Sequence, residues 1–297
     1  MRELTPTVSR DILSINPKET FDGLTIPQGL AALRDYAKEQ PEEATSRPTL
    51  NLGPVLSVSG DYALLALLLR DSAEWLKFFY YSVLYRSILH ADEVVSGFNE
   101  RAFVRVPVAT RALLELFLYT FAAYRRIYQS QQEIKKLPPA QPRRAIESEI
   151  KLRDFLLKQA VGARINWDDP FGSTWQEVRE HLKQTNVLSV MRILPGDQRD
   201  RVERWYALLS DACHPNFGST LFVLDHERLT VDPPSFVFTR SRTGPIHLQL
   251  AIDLVSAAFC FSCVQLVNVL KLLEKVLAYY REGVALFGAK AGHEQDA

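Results

Sequence analysis

Between Asp253 and Lys271 the chain runs through 17 residues without a charge, LVSAAFCFSCVQLVNVL. Such a run has to be removed from water, either in a bilayer or in a protein core. A spanning helix needs roughly 20 apolar residues. This run is shorter and carries Gln265 and Asn268, which predicts a buried central helix and no membrane. Pro245 opens that helix, and the pattern continues to about Gly283.

Other helices follow from the same reading. From Asp61 the segment DYALLALLLRDSAEWLKFFYYSVLYRSILHADEVV has acids near its start and apolar residues throughout. Pro107 opens PVATRALLELFLYTFAAYRRIY, at the helix position where proline costs least. Pro138, Pro139 and Pro142 separate it from a charged helix around Ala145–Val161. Ser173 with Gln176 resembles a capping box for a helix ending near Val190, and Pro195 opens another. A short helix over Pro27–Lys38 is expected within an irregular N-terminal segment, followed by the linker EQPEEATSRPTLNLGP. STLFVLDHERLTVDPPSFVFTR places β-branched and aromatic residues around turn formers and reads as a β-hairpin or ribbon near 219–240. The fold class is all-α, one bundle of about six main helices. The expected organisation is an N-terminal segment over 1–60, a helical domain over 61–283 and a flexible tail over 284–297.

Composition narrows the function classes. The 297 residues are 47% hydrophobic and 24% charged, as in an ordinary globular protein. Basic and acidic residues balance at 35 each, so net charge selects no partner. Three cysteines without framework spacing, and an N-terminus lacking a signal peptide's apolar core, predict a soluble, cytoplasmic chain. The sequence contains no P-loop, Gly-rich dinucleotide fingerprint, G-x-S-x-G elbow or H-E-x-x-H motif. No cofactor is expected. Cys260 and Cys263 form C-x-x-C inside an apolar helix, and Cys213 and His214 point about 100° apart, so no metal site is expected either. The three cysteines read as small core hydrophobes.

The stretch RWYALLSDACHPNFGS is the most informative. At 100° per residue, Val202, Trp205, Leu208, Leu209 and Ala212 share the expected core face. Glu203, Ala207, Ser210, Asp211 and His214 share the other. Pro215 stops the helix, leaving His214 in the last turn, where free carbonyls favour a protonated imidazole. Two readings stay open: a helix-end histidine bonding those carbonyls, or a proton-transfer group.

WYALLSDACHPNFGS is similar to the second signature helix of the HEPN-like superfamily of helical bundles, in a branch with a Tyr-x-x-Leu-Ser-x-x-x-His pattern. Tyr206, Leu209, Ser210 and His214 carry that pattern here. RALLELFLYTFAAYRR resembles the Arg/Glu-bearing helix preceding it, and the likeness covers roughly residues 61–280. It implies a HEPN-like bundle, dimers whose signature helices face across a cleft, and RNA as partner, with a ribonuclease role in bacterial defence or toxin–antitoxin systems. His214 would transfer the proton, Arg111 or Arg204 would be the phosphate cation, and Ser210 and Asp211 would orient their neighbours. The family's arginine stands five to seven positions before the histidine, where this chain has Leu209, Leu208 and Ala207. Arg204 lies ten positions back. The alternative is therefore a non-catalytic helical interaction or dimerisation module, with a second copy or another protein as partner.

Arg111, Glu115, Tyr119 and Arg126 form a narrow polar stripe on the Pro107 helix. Gln249, Asp253, Ser256, Cys260 and Cys263 form a second on the last helix. Asp253 in apolar surroundings needs a partner, and Arg111, with Glu115 nearby, is the expected one. The pair is either a structural ion pair or part of the cleft containing His214. Finally, residues 124–164 hold ten basic residues against four acids. Arg125, Arg126, Lys135, Lys136, Arg143 and Arg144, with Tyr124, Tyr128 and Phe155 as stacking rings, are the candidate nucleic-acid contacts; a solvated charged face is the plainer alternative.

Overall fold

The structure, a computed structural model, describes residues 7–49, 53–135, 142–161, 187–214 and 245–295, together with isolated positions between 220 and 238. The fold is all-α. Among the described residues the helices are α1 (Arg10–Leu13), α2 (Ile26–Lys38), α3 (Gly53–Leu56), α4 (Asp61–Asn99), α5 (Arg105–Lys135), α6 (Pro142–Val161), α7 (Val187–Met191), α8 (Gly196–Cys213) and α9 (Pro245–Gln295). Thr230–Val231 and Pro234–Ser235 pair antiparallel as β1 and β2, and Leu224 bridges Phe238. The Ser173/Gln176 cap lies outside the described residues. Helix α9 runs to Gln295, beyond the Gly283 end expected from sequence.

The chain divides into two compact units. The first comprises Met1–Gln40, Leu84–Tyr119 and Val187–Asn268; the second comprises Pro41–Val83, Thr120–Asn186 and Val269–Ala297. Helices α5 and α9 are long and apolar enough to cross a membrane, and most of each apolar stretch is packed inside the protein. Cys260, Cys263, Phe259 and Leu266 in the uncharged run are fully buried.

Phe261 is the hub of the first unit's core. Its ring meets Phe21 at 5.2 Å and Phe117 at 5.1 Å, both edge-on, and Trp205 at 5.4 Å. Three sequence-distant segments thus converge on one ring, in the offset and edge geometries that aromatic quadrupoles favour. Helix α2 begins at a capping box in which Thr25 and Gln28 satisfy each other's backbone N–H groups. Its face of Ile26, Gly29, Leu30, Leu33 and Tyr36 is buried. Gly29 is required there: a Cβ would stand 3.0 Å from Cys260 Cα and 3.1 Å from its Sγ. The irregular N-terminal segment is tied down by side chains. Ser9 N–H donates to Asn99 Oδ1, Lys18 N–H to Asp253 Oδ1, and Arg201 reaches Thr20 O.

The second unit buries charge as well as hydrocarbon. Arg153 pairs with Asp71 at 3.0 Å, both side chains at most 5% exposed, and also donates to Thr49 O. Thr49 N–H donates to Asp71 Oδ1, and Arg47 N–H and Ser46 Oγ donate to Glu74, so the expected linker is pinned to α4. Glu149 is fully buried with hydroxyl donors only: Ser72 Oγ at 2.8 Å and Tyr280 Oη at 3.1 Å. Burial pushes its carboxyl up to about 7, against the lowering effect of the two hydrogen bonds.

Candidate functional site

Helix α8 buries Val202, Trp205, Leu209 and Ala212, at spacings of three, four and three. Leu208, expected on that face, is 46% exposed: it lies farther round the helix from Val202 and Trp205 than Leu209 does. The helix ends at Cys213. His214 follows in an extended conformation, φ −85° and ψ 153°, with its N–H donating to Ser210 O at 3.0 Å. This is the backbone region to which a residue before proline is restricted, and residue 215 is proline. His214 is therefore the cap rather than a member of the last turn, and its side chain is exposed.

Along the flank of α8, Tyr206 and Cys213 meet the Arg/Glu stripe of α5. Arg111 Nη2 donates to Tyr206 Oη at 2.9 Å, and Arg111 Nε donates to Glu115 Oε1 at 3.0 Å. Tyr206 Oη in turn donates to Glu115 Oε1 at 3.1 Å. The Arg111 guanidinium carbon lies 4.9 Å from the Tyr206 ring centre, so the contact is both hydrogen bond and cation–π. Burial alone would lower the Arg111 pKa; the bonds to Tyr206 and Glu115 outweigh it and leave it raised. Burial also raises Tyr206, assisted by the Glu115 charge and opposed by Arg111. Tyr119, one turn beyond Glu115, is raised by burial and by Glu115 and Tyr206.

Cys213 belongs to this group. Burial pushes its thiol up, while the charge and a hydrogen bond of Arg111 pull it down. The expectation of three core cysteines holds for Cys260 and Cys263 but not for Cys213, which is half-buried beside a cation. The sequence signal was available: Tyr206 and Cys213 are seven residues apart, on one helical face, but only Tyr206 stood in the motif.

The expected Arg111–Asp253 pair does not form. Asp253 accepts from Lys18 N–H at 3.0 Å and from Gln249 Nε2 at 2.8 Å, with Lys18 Nζ 3.4 Å away. The reason is local: the irregular segment before α2 lies along the Gln249–Cys263 stripe and supplies its partners, including Leu24 O for Cys260 Sγ at 3.7 Å. Arg204 is likewise committed, pairing with Glu19 at 2.6 Å. Ser210 Oγ donates to Tyr206 O at 2.7 Å, one turn back. Asp211 is exposed.

Of the basic candidates, Arg125, Arg126 and Arg144 are exposed. Lys135 sits 4.5 Å over the Tyr279 ring, and Arg143 pairs with Asp61 at 3.1 Å. Lys136 lies outside the described residues. Arg153, counted among the ten basic residues, is buried against Asp71 and unavailable to a ligand. Arg126, placed by projection on the Arg111 stripe, belongs to the second unit. Tyr124 and Tyr128 meet with ring centres 5.9 Å apart and planes tilted by 31°, Tyr128 exposed. Among the described residues no group of three or more His, Cys, Asp or Glu side chains could hold a metal ion.

Comparison with known proteins finds no matching family model, curated protein or solved structure.

Proposed function

We propose that the chain is a cytoplasmic, HEPN-like, nucleic-acid-associated protein acting on RNA without a metal, in a bacterial defence or toxin–antitoxin setting. The fold reading includes the ribbon near 219–240 as an insertion in the bundle. The observation that carries the proposal is the junction of Arg111 and Glu115 with Tyr206, since these residues belong to the two segments that resemble the family's paired helices. Arg111 also acts on Cys213, the residue preceding His214, which brings a raised-pKa guanidinium to the helix end carrying an exposed imidazole.

The chemistry of such an end is RNA transesterification. The imidazole takes the proton of the ribose 2′-hydroxyl as its oxygen attacks the adjacent phosphorus. The P–O5′ bond breaks, the leaving oxygen takes a proton from water or from the imidazolium just formed, and a 2′,3′-cyclic phosphate remains. Arg111 offsets charge on the phosphorane oxygens, its fork matching phosphate geometry. On the second unit, Arg125, Arg126 and Arg144 are exposed cations of the kind that contact an RNA backbone.

A second reading has its own support. Arg111 is already charge-matched by Glu115, and Arg204 by Glu19, so both guanidinium groups have protein partners. On that reading the exposed face of α8, with Leu208 on it, contacts a second copy or another protein. RNA incubated with the purified chain in excess chelator separates the two. Cleavage lost in His214→Ala supports the first; intact RNA with both proteins folded assigns the helix end to the second.

A further inference from the structure

In the second unit, the faces of α4 and α9 enclose a cleft of about 420 Å3 lined by Arg70, Ala73, Glu74, Lys77, Leu277, Arg281 and Val284. A second cleft of about 340 Å3 shares Arg70, Glu74 and Lys77 and adds Thr45 and Arg47. Arg70, Glu74 and Lys77 recur at four and three residues, and Leu277, Arg281 and Val284 likewise, so each helix turns one stripe to the cleft. Gly283 sits beside the wall, where a Cβ would meet Leu69 Cδ1 at 3.5 Å.

The charges do not balance. Arg47, Arg70, Lys77 and Arg281 face a single carboxylate, Glu74. That carboxylate is already accepting from Arg47 N–H at 2.8 Å and from Ser46 Oγ at 3.2 Å. Among the described residues none of the four cationic side chains forms an ion pair, although elsewhere the fold pairs Arg34, Arg105, Arg111, Arg153 and Arg204 with carboxylates. Like charges around a concave surface repel one another and concentrate field on the space between them, so the arrangement favours an anion there.

From this cluster we infer a binding site for a terminal di- or triphosphate group. Arg70 and Lys77 are seven residues apart, about 10 Å along the helix, a span over which a phosphate chain offers each cation its own phosphate. Guanidinium forks pair with phosphate oxygens bidentately. The volume is that of a small-molecule pocket, and among the described residues no aromatic side chain lines it. The phosphates are therefore recognised and the base is not. The same chemistry is offered by a free nucleotide and by the 5′ end of an RNA. The site is independent of the RNA-cleavage reading, since it uses neither His214 nor Arg111.

The test is calorimetry on the full chain at about 150 mM salt. Pyrophosphate, ATP, GTP, citrate, a 5′-triphosphate RNA and the same RNA with a 5′-hydroxyl are titrated in turn. The expected result is one site per chain, with pyrophosphate, ATP and GTP within a few-fold of one another and citrate at least tenfold weaker. R70Q/R281Q weakens pyrophosphate at least tenfold, K77Q weakens it less, and R192Q, an exposed position in the first unit, leaves it unchanged. Circular dichroism of these exposed-site variants keeps loss of binding distinct from loss of fold. Binding by nucleotides but not triphosphate RNA assigns the free source, and the reverse assigns the RNA end. No binding of any phosphate probe at millimolar concentration, equal binding by R70Q/R281Q, or 5′-hydroxyl RNA binding as tightly as 5′-triphosphate RNA would overturn the inference.

Discussion

Arg111 and Tyr206 hold each other in two ways at once, by a 2.9 Å hydrogen bond and by the guanidinium lying 4.9 Å from the ring centre. Both share Glu115, so the three form one network rather than separate pairs. Removing the tyrosine hydroxyl should cost about 1 kcal/mol, because the ring contact survives in Tyr206→Phe. Arg111→Gln should cost somewhat more, and the double variant less than the sum. Urea unfolding of the four proteins measures the coupling. Strict additivity would mean that the contact contributes nothing.

The cysteines should separate cleanly in alkylation. Burial pushes Cys260 up to about 12 and Cys263 well above its ordinary value, whereas Cys213 is half-buried and partly compensated by Arg111. A folded sample treated with iodoacetamide at mildly alkaline pH should be labelled at Cys213 first, and at the other two only on unfolding. In Arg111→Gln the pH profile of Cys213 labelling should move upward, as the cation that favours thiolate is gone. Mass spectrometry of the labelled peptides reads both effects.

Glu149 predicts how stability changes with pH. Its folded-state value is raised to about 7 from 4.5, so between these values the native protein holds a proton that the unfolded chain has released. Stability should then be full below about 4.5, fall as pH rises toward 7, and level off above it. A difference of this size corresponds to roughly 3 kcal/mol. Glu149→Gln keeps the shape and hydrogen-bonding capacity facing Ser72 and Tyr280 without the charge. It should flatten this contribution and raise stability at pH 8. Denaturant midpoints at several pH values check the sign directly.

Two glycines should respond in opposite directions. Gly29→Ala forces a Cβ to 3.0 Å from a backbone atom of α9 and should destabilise by about 1–3 kcal/mol. Gly196, at the first position of α8, has nothing within 4 Å of its would-be Cβ. Gly196→Ala should stabilise by about 0.4–1 kcal/mol through the unfolded chain's lost freedom. Thermal midpoints of the two variants against the wild type give the comparison.

The sequence was most legible where one local rule acted alone. The uncharged run after Asp253 made a buried helix because so long an apolar stretch has to leave water. Pro215 ended α8 because the preceding residue is barred from the helical region. Partner choice was not legible. Asp253 in apolar surroundings correctly demanded a polar partner, but Lys18 came from a segment without periodicity, which no spacing rule could bring there. The same holds for Arg204 and Glu19, 185 residues apart. Arg153 looked like surface charge because its partner Asp71 lies on another helix 82 residues away. Leu208 failed differently: angular projection gives a direction but not the width of the buried face, and that width depends on neighbours the projection does not contain.

The central claim is that the end of α8 acts on RNA through His214, and the product ends test it most directly. Single-stranded and structured RNA would be incubated with wild-type protein and with His214→Ala, in chelator, and the fragments resolved by mass spectrometry. The account predicts 2′,3′-cyclic phosphate and 5′-hydroxyl ends with the wild type, and loss of these products by a hundredfold or more in the variant. Intact RNA with a folded wild-type protein, or cleavage that survives unchanged in His214→Ala, would contradict it.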